Sequence, residues 1–117
     1  MPPPDDDATV GAVFAALADP TRRAVLRAVA DRGTATATDL GAAVGVTRQA
    51  AAKHLDQLAA AGLVVDERTG RERLWRVETG PMTDAAAWLT TTGHAWDTRL
   101  ARLVEAAQPG GGGAPVP

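Results

Sequence analysis

The feature that most constrains the fold is a pair of short helical patterns separated by a glycine turn. Apolar residues recur at helical spacing from Ala37 to Val44, where Leu40 and Val44 are predicted to be buried, and again from Thr47 to about Ala61, where Ala51, Leu55 and Leu58 share one side. Thr36 and Thr47 are the predicted N-caps of these two helices. Gly45 lies in the gap between the two patterns, and Gly62 follows the second as a typical C-terminal stop. Two helices joined by so short a turn predict a helix-turn-helix motif.

The residues after Gly62 have the pattern of a β-hairpin. Residues 63–68 and 73–77 are predicted strands, because the first run contains Leu and two Val and the second contains Leu, Trp and Val. Thr69-Gly70-Arg71-Glu72 between them has the composition of a turn. A hairpin directly after the second helix forms a wing. The predicted fold class is therefore mainly α with a small β-hairpin, a winged helix-turn-helix with the order α-α-α-α-β-β-α.

Two further helices are predicted before this motif. A stripe of apolar residues predicts the first from about Val10 to Ala18. Asp19 then suits an N-cap and Pro20 the first position of a second helix, which ends near Asp31.

One long helix is predicted after the hairpin, from Gly80 to about Ala107. Its apolar or small residues are spaced alternately by four and three positions, at Met82, Ala86, Leu89, Gly93, Trp96, Leu100, Leu103 and Ala107. A repeat of 3.5 residues gives a narrow seam suited to pairing with another helix. The alternative is that this stripe packs only on the core of its own chain.

The 117 residues are enough for one domain, which we expect over residues 9–108. Residues 1–8 are predicted to be a disordered acidic arm and residues 109–117 a flexible Gly/Pro tail. Hydrophobic residues make up 45% of the chain but aromatic residues only 3%. An alanine-rich core buries little area per residue, so such a domain gains from apolar surface supplied by a second copy.

The composition also excludes several classes of function. The chain has no cysteine, which removes disulfides, thiolate metal ligands and cysteine nucleophiles. No apolar run is long enough to span a membrane, and the N-terminus does not resemble a signal peptide, so we expect a cytoplasmic protein. His54 and His94 lie in different elements, and the chain contains no serine, so no catalytic constellation is predicted. We expect no enzyme activity and no cofactor.

The formal net charge of −2 neither supports nor excludes binding to nucleic acid. Asp5, Asp6 and Asp7 in the predicted arm account for more than the whole of this charge. The distribution of charge therefore matters more than its sum.

Several stretches of the chain together resemble the ArsR/SmtB family of bacterial repressors. They are Phe14–Arg23, Thr38–Leu40, Val46–Leu55, Leu58–Val64 and the wing segment Gly70–Arg76. Pro81–Leu89 and Trp96-Asp97 resemble the last helix of a branch that lacks metal ligands. The resemblance covers about residues 10–107. It implies a winged helix-turn-helix dimer, joined through its first and last helices, that represses transcription by binding inverted repeats in promoters.

The resemblance and the residue types together predict the contacts with double-stranded DNA. A recognition helix presents its N-terminal residues to the major groove, where Arg pairs with guanine and Gln with adenine. The predicted DNA-binding residues are Thr47, Arg48, Gln49, Ala52, Lys53 and His54 on the helix and Arg68, Arg71 and Arg73 on the wing. Three alternatives stay open: Arg48 and Gln49 could belong to an ordinary solvated helix face, His54 could pack at the edge of the core, and the wing could be a salt-bridged hairpin.

The predicted contacts between the two copies come from both ends of the chain. They are Val10, Val13, Phe14 and Leu17 in the first helix and Leu89, Trp96, Leu100 and Leu103 in the last. Metal sensors of the family use cysteines on the third helix or paired histidines and carboxylates on the last. No cysteine occurs here and His94 is alone, so we predict no metal site. Trp88, Gly93 and Trp96 leave room for a small-molecule effector, although burial is the simpler interpretation.

The sequence thus predicts a homodimeric, sequence-specific DNA-binding regulator, a repressor of promoters that include its own. The competing hypothesis is a protein-interaction module on a winged-helix scaffold that does not read DNA sequence.

Overall fold

The computed structural model describes the backbone of residues 4–107 and the side chains of residues 8–106. This part of the chain contains five helices and one two-stranded antiparallel hairpin, in the predicted order. The bounds are α1 Pro4–Leu17, α2 Pro20–Arg32, α3 Ala37–Val44, α4 Arg48–Ala60, β1 Val64–Thr69, β2 Glu72–Val77 and α5 Gly80–Ala107.

The first helix begins earlier than the sequence predicts. α1 starts at Pro4 rather than near Val10, so residues 4–8, predicted as part of a disordered arm, are helical in the structure. Proline and acidic residues are both favoured residue types in the first turn of a helix, which is consistent with this earlier start. Residues 1–3 of the predicted arm and the predicted tail, 109–117, lie outside the described residues.

The predicted N-caps of the next three helices are confirmed. The Asp19 carboxylate accepts hydrogen bonds from the backbone amides of Thr21, at 2.8 Å, and Arg22, at 3.2 Å. The hydrogen bonds from these amides, above all the one from the Arg22 amide, lower the pKa of the Asp19 carboxyl below its ordinary value. Thr36 and Thr47 each accept a hydrogen bond from the amide three residues later, at 3.1 and 3.0 Å. Each cap satisfies donors that the first helical turn leaves unpaired.

The turn between α3 and α4 is held by two glycines. Gly45 has φ +84°, a left-handed conformation that favours glycine, and it ends α3. Gly41, inside α3, passes so close to the start of α4 that a Cβ atom there would lie 2.8 Å from the Val46 carbonyl oxygen. The close approach at Gly41 therefore fixes where α4 begins.

The core brings α1, α2, α3, α4 and the hairpin together. Leu40, predicted to be buried, is fully buried, and so are Ala51, Leu55 and Leu58, predicted to share one side of α4. Val44, also predicted to be buried, is only partly so. Trp75 of β2 is the largest buried side chain among the described residues. Its backbone exchanges two hydrogen bonds with Ala35, at 2.8 and 3.1 Å, which ties β2 to the segment that precedes α3.

The hairpin has a regular register around a two-residue turn at Gly70-Arg71. Directly opposite pairs include Asp66 with Trp75 and Arg68 with Arg73. Because opposite residues of an antiparallel pair, and alternate residues of a strand, share a face, these four side chains lie on one face of the hairpin.

The chain divides into two compact units after Ala85. The second unit is the remainder of α5, which is helical to Ala107. Its large apolar side chains at Trp88, Leu89, Trp96, Leu100, Leu103 and Val104 are exposed. No helix in the described part of the chain has the length and apolarity needed to cross a membrane.

Candidate nucleic-acid interface

An open groove of about 820 Å³ separates the N-terminal ends of α3 and α4 from the wing. It brings together six of the nine residues predicted to bind DNA, which are Arg48, Gln49, Ala52, Arg68, Arg71 and Arg73. Thr47, Lys53 and His54 do not line it. The groove is therefore formed by the starts of α3 and α4 on one side and by the wing on the other.

The first turn of α4 presents its side chains to solvent. Arg48 and Gln49 are exposed, and no hydrogen bond or ion pair holds either side chain within the described residues. The N-terminal end of a helix carries unpaired amides and a positive dipole, both of which favour phosphate. Thr47 is also exposed, but its hydroxyl already accepts the capping hydrogen bond from the Ala50 amide. The structure thus gives Thr47 a capping role.

Further along α4, the predicted residues differ in their surroundings. Ala52 is half-buried and faces the groove, whereas Lys53 is exposed outside it. His54 is half-buried, and its Nδ1 atom is buried without a hydrogen-bond partner among the described residues. This placement favours the alternative in which His54 packs at the edge of the core.

The wing arginines also differ from one another. Arg71 lies at the hairpin turn and Arg68 near the end of β1; both are exposed, and neither takes part in an ion pair within the described residues. Arg73 is held by two carboxylates: its Nε donates to Asp66 Oδ2 at 2.6 Å, and an Nη atom lies 3.9 Å from Asp56 Oδ1. The alternative of a salt-bridged hairpin therefore applies to Arg73 but not to Arg68 or Arg71.

The sequence did not predict that α3 would line the groove. Thr36, Thr38 and Asp39, all at the start of α3, contribute to its wall. In a helix-turn-helix the first helix crosses the DNA backbone. The predicted motif therefore already indicated that α3 lies at this surface.

The predicted dimer contacts of α1 differ in their exposure within a single chain. Val10 and Val13 are only 8% and 1% exposed. Val13 is buried in the core of its own chain, and Leu17 packs against that core as a partly buried side chain. The contact of these residues with a second copy stays a prediction. Phe14 is exposed, as are all four predicted residues of α5.

The described residues contain no group of three or more His, Cys, Asp or Glu side chains arranged to hold a metal ion. His94 lies on the exposed surface of α5.

Adding a methyl group at Gly41 tests how the turn positions α4. We expect Gly41→Ala to lower the free energy of unfolding by about 1–3 kcal/mol, because the new Cβ meets backbone atoms that cannot move aside independently. Chemical denaturation measures this change. Gly11→Ala is the matched control, since a Cβ at this helical position meets nothing within 4 Å and should be neutral or stabilising. Equal stability of the two variants would contradict the prediction.

Comparison with known proteins gives a consistent result. The model of a helix-turn-helix domain family matches residues 17–67, which run from the end of α1 into β1. An uncharacterised HTH-type transcriptional regulator of Bacillus subtilis is 41% identical over 69 residues, covering 54% of this chain and 75% of the relative.

Solved structures extend the similarity beyond this motif. An ArsR-like transcriptional regulator from Rhodococcus sp. RHA1 superposes with a TM-score of 0.77 at 38% identity, covering 87% of this chain and 95% of that one. A homodimeric winged helix-turn-helix DNA-binding domain from Mycobacterium bovis superposes with a TM-score of 0.55 at 28% identity, covering 84% of each chain. The predicted family and fold are confirmed, and so is the prediction that the protein is not an enzyme. The chain belongs to the ArsR family of winged helix-turn-helix transcriptional regulators.

Proposed function

We propose that this regulator is a homodimeric repressor that binds an inverted repeat in promoter DNA. The observation that carries the proposal is the groove, in which Arg48 and Gln49 face the unpaired wing arginines Arg68 and Arg71. A concave surface with base-reading groups on one side and phosphate-binding groups on the other suits a DNA duplex.

The side chains on the two sides of the groove have different roles in DNA recognition. Arg48 can donate two hydrogen bonds to a guanine and Gln49 can exchange two with an adenine, so these residues read sequence in the major groove. Arg68 and Arg71 extend from the wing, where arginine binds phosphates or a narrow minor groove. The four arginines that line the groove outnumber its two acidic side chains, Asp39 and Glu72, so the groove is positively charged although the whole chain is slightly acidic.

Dimerisation through α5 would place two recognition helices on one duplex. Leu89, Trp96, Leu100 and Leu103 follow the predicted seam and expose a contiguous apolar stripe, which a second copy can cover. The Mycobacterium bovis domain is homodimeric, which supports a dimeric state here. A two-fold symmetric protein requires a two-fold symmetric site, so each half-site would be read by one copy.

Repression requires no chemistry beyond tight binding. A dimer on a promoter occupies DNA surface that the transcription machinery needs, so binding alone prevents initiation. Since the described residues hold no metal-ligand cluster, we propose that release from DNA does not depend on a metal.

Selection of bound sites from random duplex DNA tests the proposal. We expect enrichment of inverted repeats whose half-site centres lie about 10–10.5 base pairs, or a multiple of this, apart. Affinity for the selected site should fall steeply with salt, because bound arginines release counterions from phosphates. Failure to enrich any sequence, together with a protein that co-purifies, would instead favour the protein-interaction hypothesis.

A further inference from the structure

Arg73 differs from the other wing arginines because it is held from three directions. Its guanidinium contacts Asp66 on the neighbouring strand and Asp56 on α4, and its Cζ atom lies 4.4 Å from the centre of the Trp75 ring. Trp75 is buried in the core, so the guanidinium rests on a fixed surface. These contacts join the wing, the recognition helix and the core through one side chain.

We propose that Arg73 is a positioning residue that sets the wing relative to α4, and that it does not itself bind phosphate. This inference rests on the proposed DNA-binding function. Its consequence is that Arg73 fixes the spacing between the base-reading residues, Arg48 and Gln49, and the wing residues, Arg68 and Arg71.

The position of Asp56 makes this contact effective. Arg48, Ala52 and Asp56 are spaced by four residues and therefore follow one face of α4. Asp56 lies about 12 Å along the helix from Arg48, given a rise of 1.5 Å per residue. A bridge from Asp56 to the wing therefore restrains the hairpin at a point remote from the bases that Arg48 reads.

The charges on the hairpin support the same assignment. Arg68 and Arg73 are directly opposite across the two strands, and like charges at such positions destabilise a hairpin. Asp66 and Asp56 hold Arg73, whereas no carboxylate of the described residues lies within ion-pair distance of Arg68, although Asp66 attracts it more weakly. The hydrogen bond from Arg73 also holds the pKa of Asp66 below its ordinary value, so this carboxylate stays ionised near neutral pH.

The contribution of this network is to geometry rather than stability. All three charged side chains are substantially exposed, and exposed ion pairs add little to the free energy of folding. Loss of the network should therefore leave the fold intact while the wing changes its orientation.

A double-mutant cycle on the selected duplex tests the proposal. We expect Arg73→Gln and Asp56→Asn each to weaken specific binding by about threefold to tenfold, and the double variant to lose no more than either single variant. The dependence of log affinity on log salt should keep the wild-type slope in all three. Glu67→Gln is the matched control, because it removes an acidic charge from the wing outside the network and should not weaken binding.

Arg68→Gln provides the contrast for a direct phosphate contact, and it should reduce the salt slope by about 0.9 per chain. The inference would be overturned if Arg73→Gln reduced the slope in the same way, or if Asp56→Asn tightened specific binding by releasing Arg73. Strict additivity of the two substitutions would overturn it as well.

Residual dipolar couplings of the free protein give a readout that needs no DNA. The couplings of β1 and β2 amides, compared with those of α4, report the orientation of the wing and should change in Arg73→Gln and in Asp56→Asn. Unchanged couplings would reject the inference even if the wild-type protein reads its site. If the wild-type protein shows no sequence-dependent DNA binding, the proposed function is rejected. The role of Arg73 in DNA recognition is then rejected as well.

Discussion

Replacing Arg48 and Gln49 together by alanine is expected to abolish sequence-specific DNA binding while the protein remains folded. Each good pair of hydrogen bonds to a base is worth about 1–3 kcal/mol of discrimination. A dimer would lose four such contacts, which predicts a loss of specific affinity of at least about a thousandfold. Both residues are exposed, and alanine is a better helix former than either, so stability should not fall.

Fluorescence anisotropy with the selected duplex and with a scrambled duplex measures this effect. The affinity of the variant for the two duplexes should become nearly equal. Arg27→Ala combined with Gln57→Ala is the matched control, because it removes the same two residue types from exposed positions outside the groove. A variant of Arg48 and Gln49 that kept the wild-type preference would show that α4 does not read the bases.

Placing glutamate at both Leu100 and Leu103 is expected to convert the dimer into monomers. These side chains are 51% and 59% exposed in a single chain and lie on the apolar seam of α5. In a dimer, the two new glutamates of one chain would be buried opposite the two of the other chain, without cationic partners. A dimer bound to one half-site is held close to the other half-site, and a monomer loses this advantage. Affinity for the inverted repeat should therefore fall by about a hundredfold to ten-thousandfold.

Sedimentation equilibrium gives the mass, and anisotropy with whole and half sites gives the affinity. The monomer should bind a half-site as well as the wild-type chain does. Thr98→Glu is the control, since it adds one carboxylate to an exposed position of α5 away from the seam. A double glutamate variant with the mass of a dimer would exclude this face of α5 as the interface.

The sequence predicted the elements that depend on local rules. Asp19, Thr36 and Thr47 cap their helices as expected, because a side chain that bonds an amide two or three residues later needs no tertiary information. The turn glycine at Gly45 and the burial of Leu55 follow equally from spacing. The order of elements came from the same patterns, and the family resemblance together with the residue types supplied the candidate DNA contacts.

The features that the sequence did not predict depend on contacts between distant segments. Val13 is part of an apolar stripe, but a stripe does not reveal whether it faces its own core or a second copy. Arg68 and Arg73 are both arginines, at directly opposite positions of the hairpin. Only the folded chain places Asp56 beside Arg73. The tight space at Gly41 likewise depends on how α3 meets the turn.

The main-chain bonds between Trp75 and Ala35 have a consequence for how such regulators diversify. They fasten the base of the hairpin to the body of the domain, whereas the turn at Gly70-Arg71 lies at the far end of the hairpin. Arg71 can therefore be exchanged, or the turn lengthened, without disturbing the scaffold, whereas Gly70 has φ +64° and favours glycine. Descendants of one ancestral regulator could acquire new preferences for the DNA that flanks each half-site by changing only these few positions.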